Sequence, residues 1–589
     1  MSEHEQEIRH MIDPSVPELT PLETMRHSAA HVMADAIKRL WPDAKLAFGP
    51  HTEDGYYYDI AMEHRLGPED FEKIEAEMGK ITAAKHPFVR EEVSRNAAIE
   101  LFEEQGERFK VEAIAAIPED AVLTLYRSGD FVDLCRGPHV EHTGQIKAFK
   151  IMSIAGAYWR GDENGPMLQR VYGTAFPDRK ALKQHLLMIE EAKKRDHRKV
   201  GKELGLFTFD PIAPASPFFT GKGATVYNLL QTYVRKLYVR YGYEEIITPQ
   251  IFDMELFHTS GHYEHYKDNM FICDIDEREF GVKPMNCPGH CILYRHSRRS
   301  YRELPLRFAD FGRLHRYERA GVTHGLTRVR TFCQDDAHIF CTPEQVEQEI
   351  AGVTKMILEC YRTFGFDDLE IEISTRPESY LGELETWDRA EAALKAALDG
   401  QGLQYVINEG DGAFYGPKID FQVRDALRRS WQLGTIQLDF QLPERFGLEF
   451  VDQEDGRGRP VMVHRAMLGS LERFFGVYLE HVAGKFPTWL APVQVSILPI
   501  ADRHHDWSEE VAAALRARGI RVEVDLRSEK LGQKIRGATL QRVPIMLVLG
   551  DKEVEARAVA PRTRDGKTGA QESLEAFVNR LAEEASIPA

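Results

Sequence analysis

The chain has 589 residues, of which 43% are apolar, and a formal net charge of −18 at pH 7. This length is too great for one hydrophobic core, so we expect roughly three or four domains. The acidic balance excludes a protein that coats nucleic acid through general basicity, and contacts with RNA would need local basic patches.

The N-terminal part predicts a short lead-in and then an α+β domain. Residues 1–20 are acidic and polar, without the apolar core of a secretory signal. From Leu22 to Leu40 apolar residues recur at helical spacing, which predicts a helix. Alternating β-like runs then continue to about Phe176, and residues 21–177 are interpreted as one domain.

Residues 178–205 predict a basic linker helix. Leu182, Leu186 and Ile189 form a narrow apolar stripe, and basic side chains crowd the following turns. The helix is interpreted either as a solvated connector or as a contact for nucleic-acid phosphates. The basic residues are Lys193, Lys194, Arg195, Arg198, Lys199 and Lys202.

Two further domains follow the linker. Residues 206–487 contain alternating strands such as AFYGPKIDFQV and WQLGTIQLDFQL with helices between them, which predicts an antiparallel sheet covered by helices. Residues 488–589 alternate strands (VQVSILPI, RVEVDL, PIMLVLG) with helices at 505–518, 531–541 and 572–584. That alternation predicts a small α/β domain with a largely parallel sheet.

The cysteines and hydropathy indicate a cytoplasmic protein. Seven cysteines are an odd number and are unevenly spread, which is typical of reduced thiols. The sequence lacks a run of about 18 apolar residues, so we expect no membrane segment.

Residues 307–340 carry the densest group of chemically active side chains. Two alternating runs are joined by a loop, and in a strand the second run places six side chains on one face. These are Arg328, Arg330, Phe332, Gln334, Asp336 and His338. Arg316 and Glu318 are predicted to project from the partner strand. Arginines grip phosphates and an aromatic ring stacks on a base, so the face suits a nucleotide; the alternative is a solvated charged hairpin.

Four stretches resemble the threonyl-tRNA synthetases, a family of class II aminoacyl-tRNA synthetases. HRYE followed by GLTRVRTFCQDDAHIF is similar to motif 2 of that class, and VMVHRAMLGSLERFFG (461–476) to motif 3. YEEIITPQIFDMELFHTSGHYEHYKDNMF (243–271) resembles the motif 1 region, and KPMNCPGHC (283–291) the segment with a zinc cysteine. The resemblance covers nearly all of the chain from about residue 20.

The resemblance implies three domains and a homodimer. Residues 21–177 would be an editing domain, 206–487 the class II catalytic domain with its antiparallel sheet, and 488–589 an α/β anticodon-binding domain. Pro249 matches the motif 1 proline, and motif 1 forms the dimer interface in the family. Many bacterial members carry a further small domain where this chain has about twenty residues, so we expect a complete synthetase without that module.

The resemblance also implies a site that joins threonine to ATP, with magnesium bridging the phosphates. Positioning and charge stabilisation suffice, because the substrate carboxylate is the nucleophile. The implied catalytic residues are Arg316, Arg473 and His262, the last near the terminal ribose of the tRNA. The implied ATP-binding residues are Arg316, Glu318, Arg328, Phe332, Gln437 and Arg473, and the amino-acid-binding residues are Met285, Gln334, Asp336, Tyr415, Lys418 and Gln432.

Cys287, His338 and His464 match the three zinc ligands of the family, one zinc per subunit. They are far apart in sequence and form no local metal signature, so the resemblance alone points to them. Three protein ligands leave zinc open to a substrate, and threonine can chelate it through its amine and β-hydroxyl. Valine lacks the hydroxyl, so a site that binds the hydroxyl favours threonine over valine by about 10⁴ or more.

Serine keeps the hydroxyl and lacks only a methyl group, which changes the binding free energy by about 1–3 kcal/mol. Zinc therefore cannot exclude serine, and a second site is needed to hydrolyse Ser-tRNA. The residues that match the family's editing site are His27, His31, Lys110, Asp133, Cys135 and His139. A zinc protease would need glutamate where Ser28 stands. Four of these side chains could bind a metal or hold a water, and a buried polar cluster is the further alternative.

The C-terminal domain is expected to read tRNA(Thr). Glu553 and Arg562 match positions that contact anticodon bases. A nearby group of basic residues suggests phosphate contacts or a solvated helix: Lys530, Lys534, Arg536 and Arg542.

Three other functions account for the sequence less well than that of a threonyl-tRNA synthetase. An RNA-binding regulator without catalysis has no need of Arg316, Arg473 and the zinc trio. A class II synthetase for serine, proline or histidine has little use for a substrate-chelating zinc unless a β-hydroxyl is involved. A metal hydrolase built on the N-terminal histidines leaves residues 207–589 unexplained.

Overall fold

A computed structural model of the chain describes residues 19–119, 121–162 and 165–588. They form two compact units that divide between Glu190 and Glu191. The predicted lead-in lies outside the described residues except for its last two. Within those ranges every helix is too short or too polar to cross a membrane.

The first unit contains two antiparallel sheets, ordered β1-β2-β7-β6 and β3-β4-β5, and four helices before its C-terminal helix. The helices are α1 (Pro21–Leu40), α2 (Phe71–Ala84), α3 (Arg95–Glu104), α4 (Arg108–Ala116) and α5 (Arg179–Arg195). The strands are β1 (Lys45–Leu46), β2 (Tyr56–Ala61), β3 (Val89–Val93), β4 (Leu123–Ser128), β5 (Phe131–Leu134), β6 (Ala148–Tyr158) and β7 (Met167–Phe176).

The predicted first helix is confirmed as α1, where Thr20 and Glu23 form a capping box. The prediction of β-like runs up to Phe176 is wrong in part, because α2, α3 and α4 interrupt them. Helix α2 buries Ile74, Met78 and Ile81 at helical spacing. The unit is therefore α+β with more helix than the alternation indicated.

The basic linker is two helices, not one. Helix α5 ends at Arg195 and α6 (His197–Glu203) follows, because the Asp196 side chain accepts a hydrogen bond from the Arg198 backbone N–H at 2.8 Å and caps α6. Among the basic side chains of the linker, Arg195 is half-buried and the others are exposed.

The second unit is organised around a nine-stranded sheet with the order β10-β15-β17-β24-β21-β20-β18-β19, and β16 pairs with β17. The pairs β10–β15 and β18–β19 at the two edges are parallel and the others antiparallel, which confirms the predicted sheet. Apolar residues of α7, α11 and α14 pack on it to form the main core.

The elements of this part are β8 (Phe207–Phe209), β9 (Pro217–Phe219), α7 (Gly221–Tyr241), β10 (Glu244–Glu245), β11 (Ile251–Asp253), α8 (Glu255–Ser260), α9 (His262–Tyr266), β12 (Phe271–Ile275), β13 (Arg278–Val282), α10 (Cys287–Arg295), β14 (Arg299–Ser300), β15 (Leu306–Asp310), β16 (Arg313–His315), β17 (Thr331–Cys341), α11 (Val346–Phe364), β18 (Leu369–Ser374), α12 (Leu384–Asp399), β19 (Val406–Asn408), β20 (Lys418–Arg424), β21 (Ser430–Asp439), α13 (Gln441–Arg445), β22 (Phe450–Val451), β23 (Arg457–Gly458), β24 (Val461–Ser470) and α14 (Leu471–His481).

The predicted single face on residues 328–338 is wrong in two respects. Strand β17 begins at Thr331, so Arg328 and Arg330 lie before it, and its register with β24 shifts between Gln334 and Asp336. A bulge of this kind breaks the alternation of faces. On the partner side β16 ends at His315, so Arg316 and Glu318 follow the strand and do not lie on it.

The C-terminal part confirms the predicted α/β pattern. Strands β26, β25 and β27 are parallel neighbours and β29 pairs antiparallel with β27. Its elements are β25 (Val495–Pro499), α15 (His505–Arg516), β26 (Val522–Val524), α16 (Leu531–Leu540), β27 (Ile545–Leu549), α17 (Asp551–Ala556), β28 (Ala558–Val559), β29 (Pro561–Thr563), β30 (Glu572–Ser573) and α18 (Leu574–Glu584).

Candidate active sites

Three buried side chains that are far apart in sequence converge in the second unit. Cys287 is the first residue of α10, and His338 on β17 faces His464 on β24 as its Cα partner. One potential ligand atom of each lies within 4.8 Å of the others. His338 Nε2 and His464 Nδ1 are 3.0 Å apart.

These three side chains fit a zinc ion. A thiolate and two imidazoles are typical zinc ligands, and three of them leave one coordination position for a substrate. Burial raises the pKa of the Cys287 thiol well above its usual range, so without a cation the thiolate is unfavourable. The second ring nitrogen of His464, Nε2, lies 2.8 Å from Asp439 Oδ2, which directs Nδ1 towards the trio.

Several residues expected in an amino-acid pocket surround the trio. Asp336 Oδ2 accepts a hydrogen bond from Asn286 Nδ2 at 3.0 Å. The Tyr415 ring stacks on His464 with centroids 5.1 Å apart, and its hydroxyl donates to Gln437. The structure therefore places a carboxylate and a phenol beside the proposed ligands.

Met285 and His262 lie on the Cys287 side of the trio. His262 is fully buried, with Nε2 2.9 Å from Met285 Sδ and 3.7 Å from Cys287 Sγ, and Nδ1 2.8 Å from Ser260 Oγ. Burial, with the charges of His464 and Arg316, lowers the pKa of His262 to about 3. The ring is therefore neutral near pH 7.

Lys418 and Gln432 contact a different residue, Asp420. Lys418 Nζ lies 2.8 Å from Asp420 Oδ2 and 2.9 Å from Asp411 Oδ2. Gln432 is exposed and donates from Nε2 to Asp420 Oδ1 at 2.6 Å. Lys418 is the Cα partner of Gln437, whose side chain accepts the hydrogen bond from Tyr415.

An aromatic and cationic group lies at the start of β17. The Arg316 guanidinium is 5.1 Å from the centre of the buried Phe332 ring, and its Nε donates to Pro284 O at 3.2 Å. Glu318 Oε2 accepts a hydrogen bond from Arg328 Nε at 3.1 Å. A ring with a guanidinium group beside it suits a base and its phosphates.

Arg473 is a half-buried cation whose guanidinium lies 5.7 Å from the centre of the Trp431 ring. It lies in the first turn of α14, where its backbone N–H donates to Ser470 Oγ at 3.1 Å, and Ser470 is the Cα partner of Gln334. Its Nε is buried and unpaired among the described residues. Burial, with the positive charge of Arg328, lowers its pKa. A polyphosphate would neutralise both arginines.

The neighbour of Arg473 escaped the sequence analysis. Glu472 is fully buried, and its carboxylate accepts hydrogen bonds from Tyr227, Arg313 and the backbone N–H of Cys333. Its position before a motif arginine was the one available signal. The carboxylate joins the segments that carry the aromatic and cationic group.

The first unit contains the other predicted cluster. Cys135 Sγ lies 3.3 Å from His27 Nε2 and 3.3 Å from His139 Nε2, and the ring centroids of His31 and His139 are 4.3 Å apart. Potential ligand atoms of the four side chains lie within 4.8 Å of one another. The structure therefore brings together all four predicted side chains.

A buried charged pair adjoins this cluster. Lys110 forms an ion pair with Asp133, and Asp133 Oδ2 accepts a hydrogen bond from Tyr58 Oη at 2.6 Å and lies 3.6 Å from His31 Nδ1. Burial, partly offset by Asp133, lowers the pKa of His31 to about 4. Burial raises the pKa of Cys135 to about 12. Near pH 7 His31 is thus a neutral base and Cys135 a thiol.

Two members of the cluster were not found from the sequence. Tyr58 on β2 binds both Asp133 and Lys110, and Ser28 Oγ lies 3.0 Å from His139 Nδ1. Ser28 also accepts from the Val140 backbone N–H at 3.0 Å. Neither side chain carries a sequence signal, because tyrosine and serine are common on strands and helices.

In the C-terminal part the structure corrects one prediction. Lys534 is buried and its Nζ donates to Pro499 O at 3.0 Å and Asp525 O at 2.9 Å, so a contact with phosphate is wrong for it. Lys530 and Arg536 are exposed. Arg542 pairs with Glu203 at 3.3 Å.

The two predicted anticodon residues lie on neighbouring elements. Glu553 is in α17, directly after β27, and its Oε2 accepts from the Gly550 backbone N–H at 2.9 Å. Arg562 is on β29 as the Cα partner of Met546, and its buried Nε lacks a hydrogen bond within the described ranges.

Three family models match the chain. "Threonyl and Alanyl tRNA synthetase second additional domain" matches residues 123–172. "tRNA synthetase class II core domain (G, H, P, S and T)" matches residues 271–482. "Anticodon binding domain" matches residues 494–584. The three follow the order of the editing-type unit, the large sheet and the C-terminal α/β part.

Known relatives agree with these matches. The threonine–tRNA ligase of Bdellovibrio bacteriovorus is 55% identical over 548 residues, 92% of this chain and 84% of the relative. That of Acetivibrio thermocellus is 54% identical over 559 residues, 95% and 88% of the two chains. The crystal structure of the RNA binding domain of threonyl-tRNA synthetase from Cryptosporidium parvum Iowa II has a TM-score of 0.65 and 46% identity, covering 67% of this chain and 99% of that one. The chain therefore belongs to the threonine–tRNA ligase family, the threonyl-tRNA synthetases.

Proposed function

We propose that this protein is a threonine–tRNA ligase, which activates threonine with ATP, transfers it to tRNA(Thr) and hydrolyses misacylated Ser-tRNA(Thr). The observation that carries the proposal is the convergence of Cys287, His338 and His464 on one centre in the class II core. Family membership supports the same activity.

The aromatic and cationic group would bind ATP. Arg316 would contact the α-phosphate and Arg328 with Arg473 the outer phosphates, because guanidinium groups bind phosphate in a bidentate manner. Phe332 would stack on the adenine and Glu318 accept from its amino group. Magnesium bound with ATP would neutralise the charge of the phosphates. The unpaired Nε of Arg473 supports this assignment.

Zinc held by the trio would supply a Lewis acid that remains accessible to a substrate. Threonine could chelate it through its amine and β-hydroxyl, whereas valine offers only the amine. Asp336 would accept a hydrogen bond from the amine or hydroxyl. The remaining residues proposed for the threonine and ATP pocket are Met285, Gln334, Tyr415, Lys418, Gln432 and Gln437, and His262 is proposed to face the terminal ribose of the tRNA.

The cluster of the first unit would be the editing site, on residues 21–177. His31 is neutral near pH 7 and can accept a proton from a water, and the Lys110–Asp133 pair fixes its environment. His27, Cys135 and His139 surround the same space. Burial lowers the pKa of His27 and of His139 and raises that of Cys135, so these neutral groups could hold the attacking water by hydrogen bonds.

Further assignments concern partners. In the anticodon-binding domain, residues 488–589, Glu553 and Arg562 would contact anticodon bases. The exposed lysines of the linker, residues 178–205, would contact the tRNA backbone. The class II domain on residues 206–487 would form a homodimer through the Pro249 segment, where Ile247 is 91% exposed and Ile251 53%. We place the protein in the cytoplasm, in keeping with its free cysteines.

Amino-acid-dependent pyrophosphate exchange, read beside zinc content, tests the synthetic activity. We expect exchange with threonine, weak exchange with serine and none with valine. Cys287→Ala should lose both the metal and most of the exchange. The matched control is Cys291→Ala, one turn along α10, whose buried Sγ is 4.0 Å from Met462 Sδ. Full threonine activation by a metal-free Cys287→Ala protein would contradict the proposal.

A further inference from the structure

His290 contacts one of the proposed zinc ligands from behind. It lies on α10, three residues after Cys287, and is fully buried. Its Nδ1 is 2.8 Å from Nδ1 of His338, and the rings are edge to face with centroids 4.5 Å apart. The roles proposed above do not use this residue.

The short contact between the two Nδ1 atoms determines where the protons lie. Only one of the two atoms can donate in this hydrogen bond, and the other must accept. His338 Nε2 points to the zinc centre and must offer a lone pair to the metal, so its proton lies on Nδ1. His290 therefore accepts at Nδ1 and carries its own proton on Nε2.

A buried carboxylate stands at the far side of His290. Asp310 Oδ2 lies 3.7 Å from His290 Nε2, and this nitrogen has no hydrogen-bond partner in the part of the chain that the structure describes. Thr248 Oγ1 donates to Asp310 Oδ2 at 2.9 Å, and Lys283 Nζ lies 3.5 Å from the same oxygen. The carboxylate is thus held in a fixed place facing the His290 proton.

The two proposed histidine ligands thereby share one design. His464 contacts the carboxylate of Asp439 directly at 2.8 Å, and His338 faces that of Asp310 through the His290 ring. Partners of this kind fix the tautomer and the ring orientation of a metal ligand, and their loss costs about 10–100-fold in metal affinity.

We propose that His290, supported by Asp310, is a positioning residue that holds the His338 ring in the tautomer that binds zinc. This inference rests on the zinc site of the proposed function. It predicts that zinc affinity depends on two residues that do not touch the ion.

The test is zinc affinity of the full chain, measured by chelator competition on metal-free protein. His290→Leu should lower the affinity about 10–100-fold, because the Nδ1 proton of His338 loses its acceptor. His290→Asn can place an amide oxygen near the former Nδ1 and should keep an affinity close to that of the parent. Asp310→Asn removes the charge and keeps the shape, and should give a smaller loss than His290→Leu.

His504→Leu is the matched control. His504 is also buried and its Nε2 is 2.9 Å from an aspartate, Asp551, but it lies in the C-terminal part, directly before α15. Its loss should leave zinc affinity unchanged. Circular dichroism of each variant reports folding separately.

The outcomes separate the two levels of the proposal. A parent protein that binds no zinc refutes the zinc site of the proposed function. Zinc binding by the parent with equal affinity in His290→Leu overturns the positioning role. Should His290→Leu not fold, the near-isosteric Asp310→Asn protein decides, and parental affinity there overturns the inference.

Discussion

Glu472 accepts a hydrogen bond from the hydroxyl of Tyr227 at 2.9 Å in the interior of the class II core. The same carboxylate accepts from Arg313 Nη1 at 2.8 Å and from the Cys333 backbone N–H at 2.9 Å. It thus joins α7, β16 and β17 beside Arg473, the arginine proposed to bind ATP. A group so placed should determine both the stability of this region and the position of Arg473.

Glu472→Gln should therefore weaken stability and ATP binding together. Glutamine cannot accept all these hydrogen bonds, and leaving a buried donor without its acceptor costs about 1–3 kcal/mol of the free energy of unfolding. We expect a lower urea midpoint and a raised KM for ATP in pyrophosphate exchange.

The control for this variant is Glu359→Gln. Glu359 also binds a tyrosine, Tyr241 at 2.8 Å, and an arginine, Arg240, but it is only half-buried. Exposed pairs contribute about 0–1 kcal/mol, so this variant should resemble the parent. Equal effects of the two substitutions would argue against a role of Glu472 at the ATP site.

Removal of His27 should affect hydrolysis and leave synthesis intact. His27 Nε2 lies 3.3 Å from Cys135 Sγ within the proposed editing cluster. If its ring helps to hold the water that His31 deprotonates, His27→Ala should slow deacylation of Ser-tRNA(Thr) by about 10²-fold, the lower end of the range for acid–base groups. Threonine-dependent pyrophosphate exchange should be unchanged.

His64→Ala provides the comparison in the same unit. The His64 ring stacks on Trp41 with centroids 5.1 Å apart and its Nε2 lies 2.9 Å from Asp70, outside the cluster. Deacylation by this protein should match the parent. Parental deacylation by His27→Ala would remove His27 from the proposed site.

Exposed and buried basic residues of α16 should differ in their effect on tRNA binding. Arg536 is exposed, and if it contacts a phosphate, Arg536→Ala should weaken tRNA(Thr) binding and reduce the slope of log K against log salt by about 1. Lys534→Met should leave that slope unchanged, because its Nζ binds two backbone carbonyls.

The two substitutions should have the opposite ranking for stability, with Lys534→Met more destabilising than Arg536→Ala. Lys534→Met leaves the carbonyls of Pro499 and Asp525 without this donor, so its urea midpoint should fall. Arg536→Ala should unfold like the parent. A reduced salt slope in Lys534→Met would restore the phosphate contact that its burial contradicts.

Local patterns predicted much of the fold, but not the bulge or the burial of Lys534. The helix at Pro21–Leu40 and the parallel C-terminal sheet follow from hydrophobic periodicity. The register shift between Gln334 and Asp336 depends on the partner strand β24, which local alternation cannot reveal. Lys534 lies one helical turn before Ala538, and both are on the buried face of α16. The prediction of a basic patch considered only the charge of Lys534 and not its place on the helix.

The sites depended on the resemblance, because their residues come from different elements. Cys287, His338 and His464 converge only after α10, β17 and β24 pack, so no spacing in the sequence connects them. His290 and Glu472 lie beside implied site residues in the sequence, yet only the fold shows what they contact.

A pH-dependent contribution to stability should come from the start of α6. His197 Nδ1 is 2.6 Å from Glu480 Oε1, and its Nε2 accepts from the Leu326 backbone N–H at 2.9 Å. Both ring nitrogens are engaged, so the nearby Asp196, His197 and Glu480 form a structural network and leave no nitrogen for a metal.

Burial raises the pKa of the Glu480 carboxyl, but the hydrogen bonds from His197 and the charge of Arg429 outweigh it and hold the pKa below its usual range. A depressed folded-state pKa contributes stability above the unfolded pKa, and this contribution is lost as pH falls through the folded value. The urea midpoint of the parent should thus exceed that of Glu480→Gln by a constant amount from about pH 7 to about pH 5, and the gap should narrow below about pH 4.3.

Glu510→Gln is the control for this pH series, because its pair with Arg557 is half exposed and should contribute about 0–1 kcal/mol. It should unfold like the parent at each pH. A gap between the parent and Glu480→Gln that widens on acidification would mean that the protonated carboxyl is the form the fold prefers. In that case burial, and not the hydrogen bonds from His197, would dominate at Glu480.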